Sequence, residues 1–281
     1  MSTVRHANAA IFQHVESLGS VQHFAPFIIE YFVDISLWCA DHPGTPIVVR
    51  DCGPCSPWFD LLRSTNDVTV VPPDELIELT RVFPENVVVA EGLRQFARKR
   101  DGDKLVRFRN MFLSKTSGST SLRVMAVRSR EPSFYISPES EVANSGSSRR
   151  RIGNEQMIAG MLQHWWSFRV VEFFDLTPKD ALETMSSCST FVAQRGAALM
   201  NLLFMPPGGA VVEVYPKGML QSQRNIDLYH RACTHLGLKY VRIQQRSNFA
   251  DVSRWRIVFA LLRVGVTPRG KRMRNLAGAQ E

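Results

Sequence analysis

The stretch from Phe191 to Pro216, FVAQRGAALMNLLFMPPGGAVVEVYP, constrains the fold more than any other part of the chain. Phe191 to Gln194 read as the end of a short buried strand. Arg195-Gly196-Ala197 turns the chain, and Ala198 to Met205 form an apolar helix. Pro206-Pro207-Gly208-Gly209 stop that helix, and Ala210 to Val214 form a second buried strand. Strand, tight turn, helix, turn, strand is the βαβ unit of a parallel sheet. A helix opening on Gly-Ala lets backbone N–H groups approach an anion closely, and Arg195 adds a fixed positive charge at the same point. The corner reads as a pyrophosphate site. An ordinary core unit with a surface arginine is the competing reading.

The same alternation runs through the rest of the second half. Leu122 to Arg130 is an alternating strand that ends in arginines, and Glu131 to Ser148 is a Ser/Pro-rich segment expected to be a flexible loop. Arg149-Arg150-Arg151 leads into a helix that runs to about Trp166. Strand Phe168 to Phe174, helix Pro178 to Ser187 and strand Thr190 to Gln194 follow, and after the opening element come helix Ser222 to Leu236 and strand Leu238 to Gln244. This is a doubly wound parallel sheet, whose ligands sit at the carboxyl ends of the strands. Arg128, Arg130, Asp175, Arg195 and the Glu213–Tyr215 region belong at that edge.

The first half is a second α/β layer. Strands are expected at Thr45 to Arg50, Val68 to Val71 and Asn86 to Val89, with Pro72 to Leu79 between the last two. Val21 to Trp38 reads as a helix with one apolar face made by Phe24, Phe27, Ile28, Tyr31, Ile35 and Trp38. Pro26 fits its first turn. His23 lies at its amino end, where the helix dipole favours a neutral imidazole able to accept a proton or meet a phosphate or hydroxyl; a capping or surface histidine is the plainer alternative. Leu93 to Met111 is a basic amphipathic segment. Lys115 to Ser121 is a polar break. The expected domains are therefore residues 1–118 and 119–247. Residues 248–281 supply a helix, Asn248 to Val266, packing back across the first domain, and a flexible basic tail.

The formal charge of +8 favours acidic or phosphate-bearing partners. No aromatic–basic RNA signature or helix-turn-helix accompanies it, so nucleic-acid binding is only an alternative. The start of the chain has no apolar run like a signal peptide's core, and no run is long enough to span a bilayer. A soluble, cytoplasmic protein is expected. Five cysteines do not make a secreted disulfide framework. Cys52-Gly53-Pro54-Cys55 has the spacing of a thioredoxin redox pair in a strand–turn–helix setting, which keeps a thiol–disulfide oxidoreductase as the other alternative. Asp51 stands against it, because a neighbouring carboxylate raises a thiol pKa. No Walker A, GxGxxG, HExxH or Gly-x-Ser-x-Gly pattern is present.

Arg195 to Pro216 resembles the signature of the family 61 glycosyltransferases, roughly His-Gly-Ala-x-Leu-x-Asn-x-x-Phe-x-Pro-x-Gly-x-x-Val-Val-Glu-x-x-Pro. Arginine stands here where the family usually has histidine. Arg149 to Glu155 resembles the family's Arg-x-Ile-x-Asn-Glu element, and Asp227 to Tyr240 its late helix ending in Gly-Leu-x-Tyr. Val21 to Phe27 resembles the His-Phe element of its acceptor domain. The resemblance implies two Rossmann-like domains facing across a cleft, the GT-B arrangement. It also implies inverting, metal-independent transfer from a UDP-sugar to a glycan or glycoprotein hydroxyl. By family analogy with N-glycan β-1,2-xylosyltransferases and O-GlcNAc transferases, xylose is the first guess and GlcNAc the second. Arg128, Arg130, Arg151, Asn154, Glu155, Arg195, Gly196, Ala197, Asn201 and Glu213 would hold the donor, Glu213 by taking ribose hydroxyls or by orienting Arg195. No cofactor or metal is expected. The general base beside the acceptor should come from the first domain, and Asp51 and His23 are its candidates.

Overall fold

A computed structural model describes residues 6–14, 21–93, 96, 99–113, 121–128, 150–217 and 227–268. They form two separate parallel sheets. The first contains β1 (Ala10–His14), β2 (Ile47–Arg50), β3 (Val68–Val71) and β4 (Val87–Ala90), in the order β3-β2-β1-β4. The second contains β5 (Leu122–Ala126), β6 (Arg169–Val171), β7 (Cys188–Gln194), β8 (Ala210–Pro216) and β9 (Lys239–Gln245), in the order β6-β5-β7-β8-β9. Buried continuous runs such as Ile47-Val48-Val49 and Val211-Val212 are what a parallel sheet covered on both faces requires.

The strand β1 is absent from the sequence reading, yet it is the inner strand that joins β2 to β4. Ile11 and Phe12 are buried, one to each side of the sheet. The first helix is also more deeply buried than one apolar face implies. It runs as Phe24–Pro26, a π-helical segment Phe27–Phe32 and Val33–Asp41, and every residue of the π segment is buried. Within it, the Tyr31 hydroxyl donates to the Phe12 carbonyl at 2.9 Å and accepts from the Arg50 N–H at 3.1 Å, bracing β1 against β2.

The two sheets share one apolar core. The apolar segment after the Arg195 corner is a 3-10 helix, Ala197–Phe204. It packs on the start of the first helix and on the helix Lys99–Leu113. Phe204 stacks on Trp58 at 5.4 Å between ring centres and lies 5.6 and 5.7 Å from Phe108 and Phe112. The segments that follow the carboxyl ends of strands in one sheet thus meet those of the other.

The carboxyl-terminal helix needs two corrections. It spans Arg254–Arg263, not residues 248–266, and it covers the second sheet rather than the first. Ile257, Ala260 and Leu261 pack with Val212, Val214 and Ile243. The preceding residues form a clamp. Arg151 N–H donates to the Asn248 carbonyl and Gly153 N–H to the Ala250 carbonyl. The expected loop 131–148, residues 115–120 of the polar break and the tail beyond residue 268 lie outside the described residues.

Candidate nucleotide-sugar site

The order of the second sheet reverses between β5 and β7, and the cleft outside such a reversal is where doubly wound sheets bind ligands. Arg128 follows β5, and Arg195-Gly196 follows β7. The Arg128 guanidinium lies over Gly196, its Nη2 donating to the Arg195 carbonyl at 2.8 Å. Gly196 has φ 155°, and a Cβ added there would overlap that guanidinium. Both the backbone angle and the arginine therefore require glycine. The Tyr229 hydroxyl donates to the Gly196 carbonyl at 2.6 Å and fixes the turn from beneath.

Arg195 points inward. It is 3 % exposed, its Nη1 donates to Glu213 Oε1 at 2.7 Å, and its guanidinium sits about 5 Å from the ring centres of Tyr215 and Tyr229. Glu213 is fully buried in β8. Its Oε2 accepts from the Arg242 Nε at 3.1 Å and from the Tyr240 hydroxyl. One carboxylate thus holds two arginines in place, with Arg242 reaching Asp227 at 3.6 Å as well. Buried charges persist in this form because each is paired and hydrogen-bonded. Glu213 thus contacts Arg195 directly, with both of its oxygens engaged inside the fold.

The segment before the next helix closes the third side. The Asn154 side chain donates to the Val252 carbonyl at 3.0 Å and accepts from the Val252 N–H at 2.9 Å, so it holds residues 248–252 against the helix start. Glu155 opens the helix Glu155–Trp166 and accepts from the Arg128 N–H at 3.4 Å. Burial pushes its carboxyl up to about 7, against the pull of that N–H and of the Arg128 charge. A half-buried acid titrating near neutrality thus stands beside Arg128. Among the described residues, no group of three or more His, Cys, Asp or Glu is arranged to hold a metal ion.

Residues 24–212 match the profile of the glycosyltransferase 61 family. The chain belongs to that family. No curated protein matches it significantly. In this family 61 glycosyltransferase, Arg128, Glu155, Gly196 and the exposed Ala197 share one corner. Arg195 and Glu213 lie beneath it. Arg151 is exposed, with its backbone N–H and carbonyl in the clamp. Asn201 is buried. Its Nδ2 donates to the Ala198 carbonyl at 2.9 Å, and its Oδ1 has no hydrogen-bond partner among the described residues. Arg130 lies outside them.

The two candidate bases differ in setting. Asp51 Oδ1 accepts from the Gly53 N–H at 2.9 Å and from the Ser56 hydroxyl at 2.6 Å, a local turn that leads into the Gly53–Leu62 3-10 helix. His23 is exposed at the amino end of the first helix, whose opening turn packs on Ala197–Phe204. The sequence reading missed a third group, His14 and Glu30. Their side chains are buried 3.4 Å apart at the end of β1, where the order of the first sheet reverses. Tyr229, Tyr240 and Arg242 were missed as well. A polar or aromatic residue inside an otherwise apolar strand or helix face is the one signal that points to such a network.

Cys52 and Cys55 are not disposed for redox work. Both are buried, their sulfurs facing the Arg50 and Gln22 carbonyls at 3.3 and 3.6 Å. Burial pushes the Cys55 thiol up to about 12 and raises Cys52 too, where a redox cysteine needs a lowered value.

Proposed function

We propose that this glycosyltransferase moves a sugar, xylose first and GlcNAc second, from a UDP-sugar to a glycan hydroxyl with inversion. The observation that carries the reading is the Arg128 guanidinium seated over Gly196 at the chain reversal of the second sheet. There the diphosphate meets Arg128 and the amino end of the Glu155–Trp166 helix, which together offset the charge that develops as the sugar leaves. Arg195 acts from below. Its buried pair with Glu213 holds the corner in shape, in place of direct contact with phosphate. No metal is required in this scheme, because the leaving charge is met by the chain's own cation and dipole.

The acceptor approaches from the first sheet, in a GT-B arrangement of two facing domains. The meeting of segments that follow strand carboxyl ends supports this. We assign the general base to His23, which is exposed beside the corner segment, and give Asp51 a role in shaping the turn before the Gly53–Leu62 helix. Titration calorimetry with UDP tests the donor half. Arg128→Ala is expected to abolish binding, and unchanged affinity removes the corner from the site. A thermal-shift comparison of nucleotide sugars then selects the donor.

A further inference from the structure

The helix Arg254–Arg263 is apolar on two opposite faces. Ile257, Ala260 and Leu261 bury against the second sheet. Trp255, Phe259 and Leu262, spaced four and three residues apart, form a stripe on the other side with 59, 66 and 47 % exposure. A helix at the surface of a soluble core ordinarily turns a polar face outward. Large apolar side chains exposed next to one another, unlike singly scattered ones, mark an interaction surface.

The charges beside the stripe are of one sign. Arg254, Arg256 and Arg263 flank it, and the helix RWRIVFALLR contains no acidic residue. The Arg254 guanidinium lies 5.7 Å from the Trp255 ring centre. The other helix on this face of the sheet, Glu155–Trp166, also presents Met157 and Trp165 outward, at 48 and 44 % exposure.

We propose that this face docks onto an anionic lipid bilayer surface. Trp, Phe and Leu on one side of a helix with arginines along its flanks are the composition of a helix lying in the headgroup region. Trp is suited to that depth, and each arginine is attracted by anionic headgroups. A second copy of the chain on the same face sets arginine against arginine across the contact, which disfavours self-association. The inference does not depend on the donor or acceptor assigned above.

The test is co-sedimentation of the full chain with phosphatidylcholine vesicles, with and without phosphatidylserine, at low and high salt. Binding is expected with phosphatidylserine and weakens as salt rises. Phe259→Ser and Trp255→Ser each lower the partition coefficient about tenfold, with melting temperature and UDP affinity unchanged. Failure of the wild type to sediment with phosphatidylserine vesicles overturns the proposal, as does binding by both variants equal to that of the wild type. A concentration-dependent dimer that Phe259→Ser abolishes also overturns it and assigns the face to a second copy.

Discussion

Arg128 and Gly196 form a single unit. The guanidinium of one occupies the space that a side chain on the other would need, and it holds the carbonyl of the intervening Arg195 at 2.8 Å. The corner that follows β7 is thus shaped by a residue that follows β5, and its cationic face depends on the absence of a Cβ.

Gly196→Ala displaces that guanidinium and strains a backbone at φ 155°. We expect a stability loss of about 1–3 kcal/mol. UDP affinity should fall as far as in Arg128→Ala. Denaturant melts and calorimetry on the same preparation measure both, and affinity equal to wild type contradicts the arrangement.

Glu213→Gln leaves two arginines without their buried carboxylate. The expected cost is about 3–5 kcal/mol. It should appear as a lowered melting temperature even in the absence of substrate. Arg195→Ala should show the same signature, since it removes the other end of the 2.7 Å contact. A variant that is fully stable yet inactive argues instead that Arg195 meets the donor directly.

Glu155 makes stability and donor binding depend on pH. Its carboxyl titrates near 7 in the folded chain against an ordinary 4.5, so the folded state holds the proton over that interval and the unfolded state does not. Stability then falls as pH rises from about 4.5 to 7 and the loss is complete above 7. Glu155→Gln should flatten that slope and be more stable than wild type above pH 7. UDP affinity should also fall through pH 7 in the wild type, as an anion forms beside Arg128, and less so in the variant. Melting and calorimetric profiles across pH check both.

His23→Ala should reduce turnover about 10²–10⁴-fold, the usual worth of a positioned base, with UDP affinity unchanged. Asp51→Asn keeps an oxygen to accept from the Gly53 N–H and the Ser56 hydroxyl, so it should alter stability little and retain most turnover. Steady-state transfer assays decide between them, and the reverse ranking returns the base to Asp51.

Much of this architecture is visible in the residues. Val68–Val71 reads as a strand from its unbroken β-branched run, and the Phe191–Pro216 unit announces itself by Gly and Pro at both turns. What escapes is set by distant pairing. β1 is three apolar residues, Ala10 to Phe12, followed by Gln13 and His14, and only hydrogen bonding to β2 and β4 makes it a strand. Arg195 meets Glu213, 18 positions on, because the parallel register sets Ala193 opposite Glu213, and no local spacing encodes that. Residues 248–252 have helix-like apolar spacing, yet their backbone is claimed by Arg151, Gly153 and Asn154. The outward or inward aim of an arginine likewise depends on neighbours from other strands.

The stacking of Phe204 on Trp58 governs how this enzyme can move. With an aromatic key from one half lodged among Trp58, Phe108 and Phe112 of the other, the halves cannot swing apart as a clamshell without uncovering rings to water. Any motion that leaves this lock closed is confined to local lifting of segments around a fixed frame. Damage on either side of the lock will then be felt as lost alignment on both.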